Sequence, residues 1–166
     1  MSANVDAPVV YERLRLIRSL LDDLDQIGDL SASDLNNDRI RRHAVERIIT
    51  QVIELAVSIN GHVAAATVGR GPSTYRASFS DAADAAAISK ELADQLAPAA
   101  GLRNVLTHGY VTIDLDKVAQ AIPEVRSGFR DYVTAIAQYL KTREAVPPGT
   151  GGGNAAEPGH YSGEDE

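Results

Sequence analysis

The sequence predicts an all-α fold, an antiparallel bundle of four long helices plus short helical segments. Three observations carry that expectation. Apolar residues recur in steps of three and four over several long stretches, the spacing that puts them on one face of a helix. No stretch alternates apolar and polar residues in the manner of a half-buried strand. The stretches are separated by short Gly-, Pro-, Asn- and Asp-bearing breaks, which are turn chemistry. With 166 residues and no cysteine, the chain is expected to be one domain whose core needs no disulfide, and thiolate zinc sites are excluded.

The first helix is expected over Val10 to Ile27, with Val10, Leu14, Ile17, Leu21 and Leu24 on its apolar stripe, Pro8 in its first turn and Gly28 at its end. Gly28 to Asn37 has the composition of a polar connector. A second helix follows from about Asp38 to Ala66, with a core stripe of Val45, Ile48, Val52, Leu55 and Ile59 and a separate polar line of Arg47, Gln51, Glu54 and Ser58. Gly69-Arg70-Gly71-Pro72-Ser73 breaks the pattern, and Phe79 is expected to tuck under that loop. An alanine-rich third helix should begin near Ser80 or Asp81 and end at Pro98, because proline removes a backbone donor and clashes with the preceding turn. A short helix from Pro98 to about His108 is then stopped by Gly109. Asp114 is a good N-cap for a last helical stretch, interrupted at Pro123 and carrying the stripe Val125, Phe129, Val133, Ile136 and Leu140. Residues 1–144 form the expected helical domain. Residues 145–166, which hold Pro147, Pro148 and a run of glycines, read as a disordered acidic tail.

Charge narrows the function. The formal net charge is −7, and four of the acidic residues, Glu157, Glu164, Asp165 and Glu166, lie in the tail with no Lys or Arg beside them. Nonspecific nucleic-acid affinity comes from many Lys and Arg side chains neutralising phosphates, so any RNA contact must be local. No stretch approaches the roughly 20 apolar residues of a membrane span. The N-terminus lacks the basic start and apolar run of a secretion signal. A cytoplasmic protein is the expectation.

The chemistry is concentrated in Gly101-Leu102-Arg103-Asn104-Val105-Leu106-Thr107-His108-Gly109-Tyr110. It places a guanidinium, an amide, an imidazole and a phenol at a helix end. Histidine exchanges protons near neutral pH, and arginine presents a fixed fork of donors that fits phosphate oxygens. Together they suit phosphodiester cleavage in RNA. The imidazole would serve the 2′-hydroxyl or the leaving 5′-oxygen, and the guanidinium would meet the charge that develops on phosphorus. A plainer account is open on spacing alone: a histidine favouring the helix C-terminal dipole, and an arginine paired with a carboxylate. On a continuous helix Arg103 and His108 would lie about 140° apart, so unwinding at Gly109 is expected to swing His108 and Tyr110 back towards Arg103. The four histidines, His43, His62, His108 and His160, form no close pair, so no metal site and no cofactor are expected.

The string Arg103-x4-His108-x-Tyr110, within Gly101–Asp114, closely resembles the HepT-like branch of the HEPN superfamily. Arg39 to Ile59 looks like that family's second helix, and Pro72 to Tyr75 with Phe79 look like its loop. The resemblance covers roughly residues 10–142. It leaves out the tail and the alanine-rich run Ala82–Ala87. It implies a HEPN-like bundle and the toxin of a toxin–antitoxin pair, an endoribonuclease. Arg103 and His108 match the catalytic pair, and Asn104 a polar neighbour that orients. Tyr110 matches the tyrosine that a cognate minimal nucleotidyltransferase (MNT) antitoxin modifies with AMP. The resemblance also implies a homodimer with both motifs in one cleft. The competing expectation is a catalytically inactive helical module that binds a nucleotide or a partner; a third, the nucleotidyltransferase itself, lacks its Gly-Ser start and spaced Asp residues. Arg47 and Arg76 are further candidates for RNA contact. Glu54 could support the cleft or form an ordinary ion pair. Tyr75 could stack on a base or pack in its loop, and Arg39, Arg41, Arg42 and His43 form a short basic cluster.

Overall fold

A computed structural model describes residues 4–67, 69, 74–109 and 112–145. Six helices and no strand occur among them: α1 (Ala7–Ile27), α2 (Ala32–Asn37), α3 (Arg39–Thr67), α4 (Tyr75–Asp84), α5 (Lys90–His108) and α6 (Leu115–Glu144). Most starts have a chemical reason. Asp6, Ser31, Thr74, Ser89 and Asp114 each accept a hydrogen bond from a backbone N–H of the first turn, satisfying a donor that the helix leaves unpaired.

The apolar stripes become the core. Val10, Leu14, Ile17, Leu21 and Leu24 of α1 are buried, as are Val125, Phe129, Val133, Ile136 and Leu140 of α6. Helix α3 packs against all five other helices. By length and composition alone α3 would pass for a membrane span, contrary to the sequence expectation; half of its most apolar stretch is buried inside the bundle. Arg126 pairs with Asp25 and Asp29, and Arg130 with Asp22 and Asp25. Numbers rise on α6 as they fall on α1, so these two helices are antiparallel. The Tyr132 hydroxyl reaches Ala56 and Asn60, and that of Tyr139 reaches Thr67, so α3 and α6 run the same way.

Three expectations are corrected. The connector contains α2, six residues held by a reciprocal cap in which Ser31 Oγ accepts from Asp34 N–H and an Asp34 carboxylate oxygen accepts from Ser31 N–H. Those bonds hold the Asp34 carboxyl below the usual carboxylate range. The alanine-rich helix starts earlier, at Tyr75, and stops at Asp84. There Ala87 N–H bonds to Ala82 O and Ala86 N–H to Ala83 O, with Ala86 at φ 57°; this is a Schellman termination with alanine where glycine is usual. Pro98 and Pro123 lie inside continuous helices α5 and α6. Core residues flank both prolines, Leu96 and Ala100 around one and Ile122 and Val125 around the other, and their burial outweighs one lost hydrogen bond. Phe79 sits on α4; most of the loop expected to cover it, residues 70–73, lies outside the described residues. Phe79 is fully buried edge-on to Phe129 and Tyr132, with ring centroids 6.3 and 6.4 Å away.

One polar chain crosses this core. The Tyr132 hydroxyl donates to Asn60 Oδ1 at 2.7 Å, Asn60 Nδ2 donates to Ser78 Oγ at 3.2 Å, and that hydroxyl donates to the Tyr75 carbonyl at 2.7 Å. Burial pushes the Tyr132 phenol well above its ordinary pKa. The chain ties α6 and α3 to the first turn of α4. The expected tail lies outside the described residues from Val146 onward, and Ala145 caps α6.

Candidate functional site

The C-terminal half of α5 carries the residues singled out in the sequence. Arg103 is mostly covered, with 17% of its side chain exposed. Its Nε and Nη2 both donate to Glu54 Oε1 of α3, at 3.2 and 2.8 Å. The guanidinium carbon lies 4.6 Å from the centroid of the Tyr75 ring on α4, within cation–π range. Nη1 makes a longer contact, 3.5 Å, to Asn104 Oδ1. Three helices therefore fix one guanidinium.

His108 is the last residue of α5 and is exposed. The helix ends at Gly109, where unwinding was expected, but that does not swing His108 back: it stays in the helix, about 140° from Arg103 around the axis. Asn104 lies one turn before His108 on the same exposed face. Asn104 thus touches the arginine on one side and neighbours the histidine on the other. Gly109 ends the helix with its N–H 2.7 Å from Val105 O. A Cβ at residue 109 would stand 2.5 Å from that same carbonyl oxygen, so the close approach requires glycine. Tyr110 lies outside the described residues.

The other candidates fall elsewhere. Arg47 is exposed on α3, two turns before Glu54. Arg76 is exposed and lines a groove between α4 and α5 with Asp84, Lys90 and Asp94, a groove that does not include Arg103. Within the basic cluster, Arg42 pairs with Glu46 at 2.7 Å and Arg41 approaches Asp38 at 3.8 Å; both are partners along the same chain segment. Glu54 and Tyr75 are more central than the sequence suggested. Glu54 could be found only as a member of the polar line on the second helix, and the spacing of Tyr75 held no sign that its ring would cover Arg103.

Two grooves flank the site. One, of about 600 Å³, runs between α5 and α6 and is lined by Pro98, Gly101, Leu102, Val105, Ile113 and Val125, among others. Its edge is unusual for a helix surface: Val105 is 47% exposed, and a Cβ on Gly101 would meet nothing within 4 Å. The second groove, of about 340 Å³, lies between α1 and α3 and has Glu54, Gln51 and Arg13 in its walls.

Comparison with known proteins gives a consistent picture. The family model for HepT-like ribonucleases matches residues 14–136. A relative from Aphanizomenon flos-aquae (strain 2012/KM1/D3), the tRNA nuclease HepT, is 30% identical over 141 residues, spanning 85% of this chain and 96% of the relative. Among solved structures, the Bacillus subtilis cytosolic protein of unknown function YutE superposes with a TM-score of 0.73 at 19% identity, covering 87% of this chain and 96% of that one. A tri-AMPylated Shewanella oneidensis HEPN toxin, solved in complex with its MNT antitoxin, superposes with a TM-score of 0.70 at 23% identity, covering 78% and 97%. The helical bundle is the fold of these proteins.

Proposed function

Because the chain belongs to the HepT-like ribonuclease family, we propose that it is the toxin of a toxin–antitoxin pair. It is an endoribonuclease that cleaves RNA, with tRNA or mRNA as substrate, without a metal ion. The observation that carries the proposal is the anchored guanidinium of Arg103 on the same helix end as the exposed imidazole of His108. In the proposed reaction His108 removes the proton from a ribose 2′-hydroxyl. The 2′-oxygen attacks the adjacent phosphorus, and Arg103 stabilises the added negative charge. The bond to the 5′-oxygen breaks, that oxygen takes up a proton, and a 2′,3′-cyclic phosphate remains.

Two proton transfers are needed, and one α5 presents its arginine and histidine about 140° apart. A homodimer answers both points: each cleft takes groups from two copies. Gly101 and exposed Val105, at the edge of the α5–α6 groove, support a second copy docking along this face. The cognate MNT-type nucleotidyltransferase silences the protein by AMPylating Tyr110. That places bulk and negative charge two residues from His108, against the groups meant for RNA phosphate. The proposed setting is the cytoplasm.

Purified protein should cut tRNA or mRNA in EDTA, and His108→Ala should abolish cutting without changing the melting temperature. A His108→Ala variant as active as the parent removes the role given to that imidazole. Protein that binds RNA and never cuts it supports the non-catalytic binding module instead. Co-expression with the nucleotidyltransferase should add whole AMP masses to the intact chain, and Tyr110→Phe should prevent it.

A further inference from the structure

We infer that Glu54 is a positioning residue for Arg103: it takes one edge of the guanidinium and leaves another for a phosphate group. This inference rests on the ribonuclease proposal. A guanidinium has five N–H donors in a rigid plane. Glu54 Oε1 receives two of them, from Nε and Nη2, and so holds the side-on edge. Nη1 makes only the 3.5 Å contact to Asn104, and two N–H groups have no partner among the described residues. The Tyr75 ring covers the guanidinium 4.6 Å away, which limits rotation out of the plane. The edge that Glu54 leaves free is therefore the one carrying Nη1 and Nη2, whose outward N–H groups match the spacing of two phosphate oxygens.

The alternatives to this role are specific. A long arginine side chain left without a partner samples many rotamers, and ordering it at the moment of reaction lowers the rate. Glu54 sits on α3, the helix packed against all the others, so the acceptor is fixed to the centre of the fold. Tyr75 is likewise fixed, since its carbonyl accepts from Ser78, which is bonded to Asn60 of α3. The same helix thus sets the acceptor on the arginine edge and the backbone of the residue beneath its face. A carboxylate serves better than a neutral acceptor for a second reason: it keeps the partly buried guanidinium from being an uncompensated charge before RNA arrives.

Single-turnover cleavage of a fluorescent RNA tests this. Glu54→Ala should slow cleavage at saturating RNA by about 10- to 100-fold. RNA affinity, measured in a His108→Ala background, should change by less than about threefold. Glu54→Gln keeps an acceptor at the same reach and should restore most of the rate. Three results overturn the inference: a wild-type rate in Glu54→Ala; faster cleavage with tighter RNA binding, which would make Glu54 a competitor for the arginine; or equal losses in Ala and Gln that follow their melting temperatures. Wild-type protein that cuts no RNA sinks the ribonuclease proposal. Wild-type protein that cuts, with a dead His108→Ala and indifferent Glu54 variants, sinks only this one.

Discussion

Two glycines eight residues apart on the motif helix should respond oppositely to the same substitution. In Gly109→Ala the new methyl carbon would start 2.5 Å from the Val105 carbonyl oxygen and 3.4 Å from its carbon. Relief means opening that contact by roughly 1 Å, since ordinary contacts lie near 3.5 Å. The helix end holding His108 must shift, or the bond from Gly109 N–H to Val105 O must break. Overpacking of this kind costs about 1–3 kcal/mol; at roughly 2–4 °C per kcal/mol for a chain of this size, the melting temperature falls by about 2–12 °C. A displacement near 1 Å at a reacting group lowers the rate by about 100-fold. Gly101→Ala is the control. Its methyl group meets nothing within 4 Å on an exposed helix surface, so replacing glycine should stabilise the monomer fold by about 0.5–1 kcal/mol. Circular-dichroism melts and single-turnover RNA cleavage read both effects, and sedimentation adds the oligomeric state. Should Gly109→Ala melt and cut like the parent, the close-approach argument is refuted. A Gly101→Ala protein that melts higher but sediments as a monomer would locate the dimer seam on this face.

Further expectations follow from the core and the α4–α5 connection. Tyr132→Phe removes the donor to Asn60 Oδ1 and leaves that buried oxygen without its partner, a loss of about 1–3 kcal/mol measurable by urea titration. The raised pKa of Tyr132 means that above pH 10 the unfolded chain releases this proton while the folded one keeps it. Stability should then fall with pH by about 1.4 kcal/mol per unit from this residue alone, and Tyr132→Phe should flatten that alkaline slope. Ala86→Gly relieves a left-handed backbone at φ 57°; a gain of about 0.5–1 kcal/mol in thermal melts is expected, and a loss would contradict the Schellman assignment.

Much of the bundle was legible because burial of a stripe is a local pattern. Every stripe residue named on the first and last helices is buried. What escaped was short or was decided by partners distant in sequence. Helix α2 has only Leu35 as a buried anchor, too little for periodicity to register, although Ser31 followed three residues later by Asp34 is a capping signature. Pro98 and Pro123 were expected to break helices, since proline weakens an isolated one; in the bundle, the apolar residues on either side of each continue the packed face. The stop at Ala86 was invisible because an alanine run favours helix and nothing in it advertises a positive φ. The motif around Arg103 and His108 could be read as a string, but not its surroundings. Glu54 is 49 positions from Arg103, and only the packing of α3 beside α5 brings them together.

Gly128 on α6 offers a last consequence. A Cβ there would approach Leu96 Cδ2 to 2.9 Å, so any larger residue would make the leucine side chain move aside. The leucine of one helix sits over the bare backbone of the other, two turns upstream of Arg103. The missing side chain thus gives the motif helix a seat on its neighbour. On the proposed function, control of the site would come from what is attached to or laid over the end of this helix, where Tyr110 follows Gly109 in the sequence.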